Sequence, residues 1–223
     1  MVFENAIQIG IGAYAPSEIA RILRLPVDRV QRWIRDYWDG TLGKAYALKY
    51  SWKTDGSRAV SFRTLIEFYV MMQLAEAGVK PKRVLQAHQE LAEWYDNAFP
   101  FALKEVLQGI KTDSRRVCFQ LDGNTLSLDG SRQLNMDFIQ LFFKRLDFDE
   151  NDLAIRFWPL GRDKSIVIDP ERKLGHPVVA DSNIYPESLH NHFKAGDPIP
   201  YIAHIYGLSE TQVKHAMEYC EAA

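Results

Sequence analysis

Arginine and glutamine are the side chains that read base edges in the DNA major groove, and both occur close together near the start of this chain. Residues 21–63 hold ten lysines and arginines against four acids, a net charge of +6. Gln31 and Arg32 lie on the polar side of a predicted helix, so we predict that they contact bases. Four other cations are better placed for phosphates: Arg29, Arg35, Lys53 and Arg58. A solvated surface charge explains each arginine equally well on its own, whereas the excess of six favours a nucleic-acid surface.

The last part of the chain carries the opposite charge. Residues 166–223 hold eight acids against four lysines and arginines, a net charge of −4. Such a surface repels phosphate, and we predict that it binds another protein instead. The residues predicted to contact that partner are Asp181, Asn183, Tyr185, Glu210 and Glu218.

The sequence patterns of catalysis and metal binding are missing. Five of the six histidines lie in the last 48 residues, but His190 and His192 are two apart and would point to different faces of a helix. No Ser-His-Asp or Cys-His set and no glycine-rich phosphate loop has its required neighbours. Cys118 and Cys220 sit in apolar patterns, which favours core packing over a redox or metal role. We therefore predict a protein that is not an enzyme and uses no cofactor or metal.

The elements that would position these residues include one apolar pattern that occurs twice. "PSEIARILRLPVDRVQRW" begins at Pro16, and "IPYIAHIYGLSETQVKHA" begins at Ile199. Superposition of the two places these residues on each other: Ile19-Ala20 on Ile202-Ala203, Ile22 on Ile205, Leu25 on Leu208 and Val30 on Val213. The pattern is typical of two short helices joined by a tight turn, the helix-turn-helix. Only the first copy has arginines on its second helix.

The remaining periodicity predicts an α+β protein, mostly α, with a winged helix-turn-helix, a small α+β middle region and a three-helix C-terminal domain. Expected helices cover 16–23, 26–37, "FRTLIEFYVMMQLAEAG", "KPKRVLQAHQELAEWYD", "NMDFIQLFFKRLDF", 186–195, 199–206 and 210–221. Expected strands are 46–52, 58–62, two in "RRVCFQLDGNTLSLDG", "LAIRFWPL" and "KSIVIDP". We predict domains at 1–103, 104–164 and 165–223.

The cellular location follows from what the sequence lacks. No run of 18 or more apolar residues is present, so no membrane span is predicted. The first residues, "MVFENAIQIGIGAYAP", have an acid where a signal peptide needs a base. We expect a cytoplasmic protein.

The first helix pair and the residues after it resemble a known DNA-binding family. "YAPSEIARILRLPVDRVQRWIRDY", a wing and "VSFRTLIEFYVMMQLAEAGVKPKRV" together look like a MerR-type winged helix-turn-helix over residues 14–93. Arg24 stands where that family often has glycine. The resemblance implies binding to operator DNA, as a homodimer on a palindrome.

The end of the chain resembles a second family. "VIDPERKLGHPVVADSNIYPESLHNHFKAGDPIPYIAHIYGLSETQVKHAMEY" is similar to DUF433, an antitoxin-like domain, over residues 165–221. Members of that family are commonly paired with PIN-like ribonuclease toxins. The resemblance therefore implies a toxin as the protein partner.

Two functions compete on these observations. The first is an antitoxin of a type II toxin-antitoxin system that neutralises a PIN-like ribonuclease and represses its own transcription. The alternative is a ligand-responsive MerR-like regulator without a toxin partner. Its small molecule would be held by aromatic residues of the middle region, although core packing explains them better: Phe119, Phe138, Phe142, Phe143, Phe148, Phe157 and Trp158.

Overall fold

The fold is mixed α+β and mostly helical, as the sequence predicts. The computed structural model describes residues 10–54, 57–113, 116–121, 124–128 and 144–222. Within these ranges the strands form small antiparallel sheets of two or three strands, and helices supply most of the regular structure.

The N-terminal part begins with a short helix pair. Helix α1 (Pro16–Leu23) starts at a proline, and the side chain of Glu18 accepts a hydrogen bond from the free Ala15 amide at 2.7 Å. Helix α2 (Val27–Arg32) follows after a turn.

The helical path after α2 is longer than predicted. It continues as a π-helix, Trp33–Leu42, and then as α3 (Gly43–Tyr46), so the predicted end near Tyr37 is wrong. Two glycines leave no room for a side chain along this path. A Cβ on Gly40 would lie 2.8 Å from the Arg35 carbonyl oxygen, and a Cβ on Gly43 would lie 2.5 Å from that of Leu48 and 2.9 Å from that of Trp38.

A hairpin and two longer helices follow. Strands β1 (Ser51–Thr54) and β2 (Ser57–Val60) pair antiparallel, with Trp52 opposite Ala59. The hairpin is confirmed, but its first strand begins later than predicted because residues up to Tyr46 are helical. The Asp55-Gly56 turn lies outside the described residues. Helix α4 (Phe62–Glu76) is capped by Ser61, and α5 (Pro81–Trp94) starts at a proline.

The middle region is built from short elements. These are a 3₁₀ turn (Pro100–Ala102), α6 (Lys104–Gln108), a sheet of β3 (Ile110–Asp113), β4 (Arg116–Leu121) and β5 (Asn124–Leu128), and a hairpin of β6 (Leu146–Phe148) and β7 (Ala154–Phe157). The helix predicted over "NMDFIQLFFKRLDF" is wrong at its end, because Leu146 pairs with Phe157 in a strand. Its earlier residues, up to position 143, lie outside the described residues.

The C-terminal unit, residues 166–222, agrees with the predicted helices. Strands β8 (Ile166–Val167) and β9 (Val178–Val179) pair antiparallel and precede α7 (Pro186–Lys194), α8 (Ile199–Tyr206) and α9 (Glu210–Glu221). Ser209 caps α9, because its side chain accepts a hydrogen bond from the Gln212 amide.

Two apolar cores hold these elements together. The larger core joins the N-terminal helices to the middle region, from Tyr14 to Ile168. The smaller core lies inside the C-terminal unit, around Leu189, Ile202 and Val213. Phe119 and Phe157 are 0% and 1% exposed within the larger core, so these two aromatic residues serve packing. Phe138, Phe142 and Phe143 lie outside the described residues.

A buried polar pair sits at the junction of the N-terminal and middle parts. Glu67 of α4 and His88 of α5 are both fully buried, with His88 Nε2 2.6 Å from a Glu67 carboxylate oxygen. The other carboxylate oxygen accepts a hydrogen bond from the Phe101 amide at 2.9 Å. Glu67 therefore ties two helices to the start of the middle region.

Candidate nucleic-acid interface and the second helix pair

The first helix pair consists of α1, the turn at Arg24–Pro26, and α2. Its helices pack on Ile19, Leu23, Val30 and Trp33, each less than 5% exposed. The Leu25 amide donates to the Ala20 carbonyl at 2.9 Å and fixes the turn. The opposite side of α2 therefore lies outside this core and is exposed.

The two predicted base-contacting residues lie on that free side. Gln31 and Arg32 are exposed, and so is Arg29 one turn earlier. Among the residues that the structure describes, none of the three side chains has a hydrogen bond or ion pair. They are available to a partner without breaking an existing contact.

Two of the predicted phosphate contacts are already paired. Arg35 donates two hydrogen bonds to Asp36, at 2.7 and 3.0 Å, and this hydrogen bonding together with the nearby charge lowers the pKa of the Asp36 carboxyl. Arg58 on β2 donates to Asp39 at 2.9 Å. Lys53 on β1 is exposed and has no described ion pair. Binding of phosphate by Arg35 or Arg58 would compete with a carboxylate.

Asp39 is the residue of this surface that sequence reasoning missed. One of its oxygens accepts hydrogen bonds from the amides of Tyr50 and Ser51, at 2.9 and 3.1 Å, and the other accepts from Arg58. The carboxylate thus fastens the β1–β2 hairpin to the π-helix that extends α2. In the sequence, Asp39 is only one of four acids within a basic segment. Its role could be recognised only by knowing that the helix continues past Tyr37 and brings Asp39 to the hairpin.

The second helix pair, α8 and α9 with the turn at Gly207–Ser209, repeats the geometry of the first. The Leu208 amide donates to the Ala203 carbonyl at 2.9 Å, the same bond as Leu25 to Ala20. Gly207 has φ 64° and ψ 34°, and Arg24 at the matching position has φ 55° and ψ 45°. The repeated pattern in the sequence is therefore a repeated structure.

The outer side of α1 contacts the C-terminal unit through four charged or ionisable groups, named here the four-charge cluster: Glu18, Arg21, His176 and Glu187. Arg21 lies 2.6 Å from Glu187 on α7, and the His176 ring has Glu18 at 3.7 Å and Glu187 at 3.6 Å. Interaction with Glu18, and then with Glu187, raises the pKa of His176 to about 9. The same interaction lowers the pKa of Glu18.

A close backbone approach seals this contact. The Ala13 amide donates to the Leu174 carbonyl at 3.0 Å, and the Tyr14 ring lies against Gly175, where a Cβ would be 2.0 Å from the hydroxyl. Glycine is required here because no side chain would fit and because its φ is 85°.

The structure separates the predicted partner-binding residues into two groups. Asp181, Asn183 and Tyr185 lie in the loop before α7, where Arg172 binds Asn183 and Lys173 lies over the Tyr185 ring at 5.7 Å. Glu210 and Glu218 are exposed on α9, with Lys214 3.9 Å from Glu210 and Lys164 2.7 Å from Glu218. The two groups belong to different elements, and most of their members already have a cationic neighbour.

The described residues contain no group of three or more histidines, cysteines or acids that could hold a metal ion. Burial raises the pKa of the Cys220 thiol to about 11, which suppresses its nucleophilic thiolate form. Within the described ranges, no helix is long and apolar enough to cross a membrane.

Comparisons with known proteins bear on both ends of the chain. Residues 166–220 match the family model described as "Protein of unknown function (DUF433)". A protein of Mycobacterium tuberculosis (strain ATCC 25618 / H37Rv), named "Putative antitoxin VapB45", is 22% identical over 236 residues, with 96% of each chain covered. The X-ray crystal structure of Rv2018 from Mycobacterium tuberculosis has a TM-score of 0.67 at 16% identity, covering 96% of this chain and 99% of that one. The structural likeness extends over nearly the whole chain, and it supports the α+β architecture.

Proposed function

We propose that this chain is an antitoxin that binds operator DNA through its first helix pair and neutralises a PIN-like ribonuclease toxin through its C-terminal unit. A distant relative across 96% of the chain carries the name of an antitoxin. The observation that carries the DNA-binding half is the free side of α2, where Arg29, Gln31 and Arg32 are exposed beside a helix pair that is otherwise packed. In this proposal the chain is not an enzyme.

Recognition of DNA would use α2 as the helix in the major groove. Arg32 and Gln31 would contact base edges, since arginine pairs with guanine and glutamine with adenine in bidentate geometry. Arg29 and Lys53 would hold phosphates, the second from the hairpin, and Asp39 would keep the hairpin at a fixed distance from the helix. Arg35 and Arg58 would join after exchanging their carboxylate partners for phosphate.

Neutralisation of the toxin would use the C-terminal unit. Its net charge of −4 complements the basic groove that a ribonuclease needs for its phosphate-rich substrate. The second helix pair has the shape of a DNA-reading unit, but the counterparts of Arg29 and Arg32 are Gln212 and His215, and α9 exposes Glu210, Glu218 and Glu221. Because phosphate would be repelled there, a protein partner fits better than a second duplex.

The proposed division of labour places DNA binding in residues 1–103 and toxin binding in residues 165–223, with residues 104–164 between them. A homodimer would place two copies of α2 on a palindromic operator.

Two measurements test this function. In an electrophoretic mobility assay, the purified chain is expected to shift DNA from its own promoter in preference to a scrambled fragment of equal length. On co-expression, the product of the adjacent gene is expected to co-purify with the chain, and its ribonuclease activity should fall. Failure of both results would leave the proposal without support.

A ligand-responsive regulator without a toxin is the second candidate, and one cavity favours it. A cleft of about 440 Å³ lies where the N-terminal part, the middle region and the start of the C-terminal unit meet, lined among others by Phe62, Arg63, Arg156 and Asp169. Its size suits a small molecule. A thermal-shift screen of metabolites would decide, because a bound ligand raises the melting temperature with concentration.

A further inference from the structure

The two helix pairs allow each position of α1 to be compared with one of α8. Superposition of Ile19 on Ile202 places Glu18, Arg21 and Ile22 on Tyr201, His204 and Ile205. In the first pair, Glu18 and Arg21 face the C-terminal unit from the outer side of α1, and Ile22 belongs to the larger core. Glu18 and Arg21 enter the four-charge cluster, and Ile22 is only 6% exposed.

Among the residues that the structure describes, none covers the same side of α8. Tyr201 is 51% exposed and Ile205 is 44% exposed, and His204 is exposed as well. Their side chains have no hydrogen bond, ion pair or ring contact with any residue in the described ranges. Tyr201, His204 and Ile205 are named here the α8 face.

The chemistry of the α8 face differs from that of α1 in a telling way. Glu18 and Arg21 of α1 contact charged partners, whereas the matching residues of α8 are Tyr201 and His204, which precede the exposed Ile205. Large aromatic and aliphatic side chains at positions i and i+4 form one stripe on a helix. Exposed apolar groups of this kind are characteristic anchors of protein interfaces.

We infer that the α8 face is the docking surface for the toxin, and that it receives a toxin segment with an apolar stripe flanked by lysine or arginine. This inference rests on the proposed antitoxin function. The apolar stripe would cover Tyr201 and Ile205, whose counterpart positions on α1 are occupied by Glu18 and by the buried Ile22. The cationic flanks would be attracted by the acidic C-terminal unit, which carries eight acids against four bases.

A second copy of this chain fits the α8 face less well. In a two-fold dimer the same patch meets itself, so the C-terminal units, each with a charge of −4, would face each other. Glu210 at the start of α9, directly after the turn that ends α8, would add to that repulsion.

The test uses the full chain with the double variant Tyr201→Ser/Ile205→Ser. Both side chains are more than 40% exposed, so the variant is expected to fold, which circular dichroism would verify. The matched control is Trp94→Ser, which removes a large side chain that is 47% exposed on α5. With the co-expressed product of the adjacent gene, the double variant should weaken binding at least tenfold, and the control should leave it within twofold. Unchanged binding by the double variant would overturn the inference while leaving the antitoxin function intact.

A second arm separates failure of the inference from failure of the proposed function. A displayed library of random peptides is selected on the full wild-type chain, and the enriched peptides are measured by fluorescence anisotropy. The inference expects enriched peptides with apolar residues three or four apart and flanking lysine or arginine, and it expects them to bind the double variant more weakly than the wild-type chain. This result would support the α8 face even if the adjacent gene product does not bind. Peptides that bind the double variant equally, or no selected peptide, count against it. Sedimentation showing a wild-type dimer that the double variant abolishes would instead assign the face to a second copy and overturn the inference.

Discussion

At the scale of single residues, Gln31 and Arg32 differ from Arg58, because of these three only Arg58 has an ion-pair partner among the described residues. Gln31 and Arg32 are free and exposed, because the helical period alone decides which side of α2 faces the core. The pairing of Arg58 with Asp39 could not be predicted. It joins residues 19 apart and depends on a π-helix that periodicity does not reveal.

The free side of α2 gives the first residue-scale prediction. Arg32→Ala should weaken binding to operator DNA by about 1–3 kcal/mol and relax the preference for the base that it reads. Lys53→Ala should instead weaken binding to all DNA sequences equally. The slope of log K against the logarithm of the salt concentration should become smaller by about one. Fluorescence anisotropy at several salt concentrations measures both effects. Lys194→Ala, an exposed lysine of α7, serves as the control, and a normal affinity for Arg32→Ala would remove that residue from the interface.

The buried Glu67–His88 pair gives the second residue-scale prediction. Glu67→Ala removes the acceptor for the Phe101 amide and leaves His88 buried without its partner, so the free energy of unfolding should fall by at least about 1–3 kcal/mol. Urea denaturation measures the change. Glu93→Ala, at an exposed position on α5, should have little effect, and an equal loss there would show that the buried contacts are not the cause.

At the scale of elements, the repeated helix pair is the most predictable feature. The two helix pairs were recognised from apolar spacing alone, and the structure reproduces the turn bond of one pair in the other. The sequence predicts a helix end at Leu146–Phe148, where the structure has a strand, because "LFFKRLDF" has apolar residues at a spacing that fits both. Pairing with β7, which the local sequence does not contain, decides the outcome.

The matched turns of the two helix pairs allow a reciprocal prediction. Arg24 adopts a left-handed backbone that glycine favours, so Arg24→Gly should stabilise the protein by roughly 1 kcal/mol. Gly207→Ala should destabilise it by roughly 1–2 kcal/mol for the same reason. Arg24→Ala separates the loss of charge from the change in backbone preference and should be close to neutral. Thermal unfolding measures all three, and a destabilised Arg24→Gly protein would contradict the backbone argument.

At the scale of the whole molecule, the charge asymmetry was visible in the sequence, but the contact between its two ends was not. Arg21 and Glu187 are 166 positions apart, and no local pattern links them. In the sequence the arginine belongs to the basic segment and the glutamate to the acidic one. In the structure the two residues form an ion pair, so part of the positive charge of one end and of the negative charge of the other is neutralised within the chain.

The four-charge cluster predicts a pH dependence of stability. Because the folded-state pKa of His176 is raised to about 9, its contribution is fully present below about pH 6.5 and is lost as the pH rises through about 9. After allowance for solvent screening, we expect a loss of about 1–2 kcal/mol between these values. Urea denaturation across this pH range measures it. His176→Gln should flatten the profile and His190→Gln should leave it unchanged, whereas a flat profile for the wild-type protein would contradict the assignment.

Tyr14, Arg21 and Gly175 lie where the two ends of the chain make contact, so this junction could couple binding at one end to binding at the other. A ligand at one end that alters this junction changes the affinity of the other end for its own ligand, and the effect has the same size in both directions. Binding at either end that shifts this junction would therefore be detected as a change in binding strength at the opposite end.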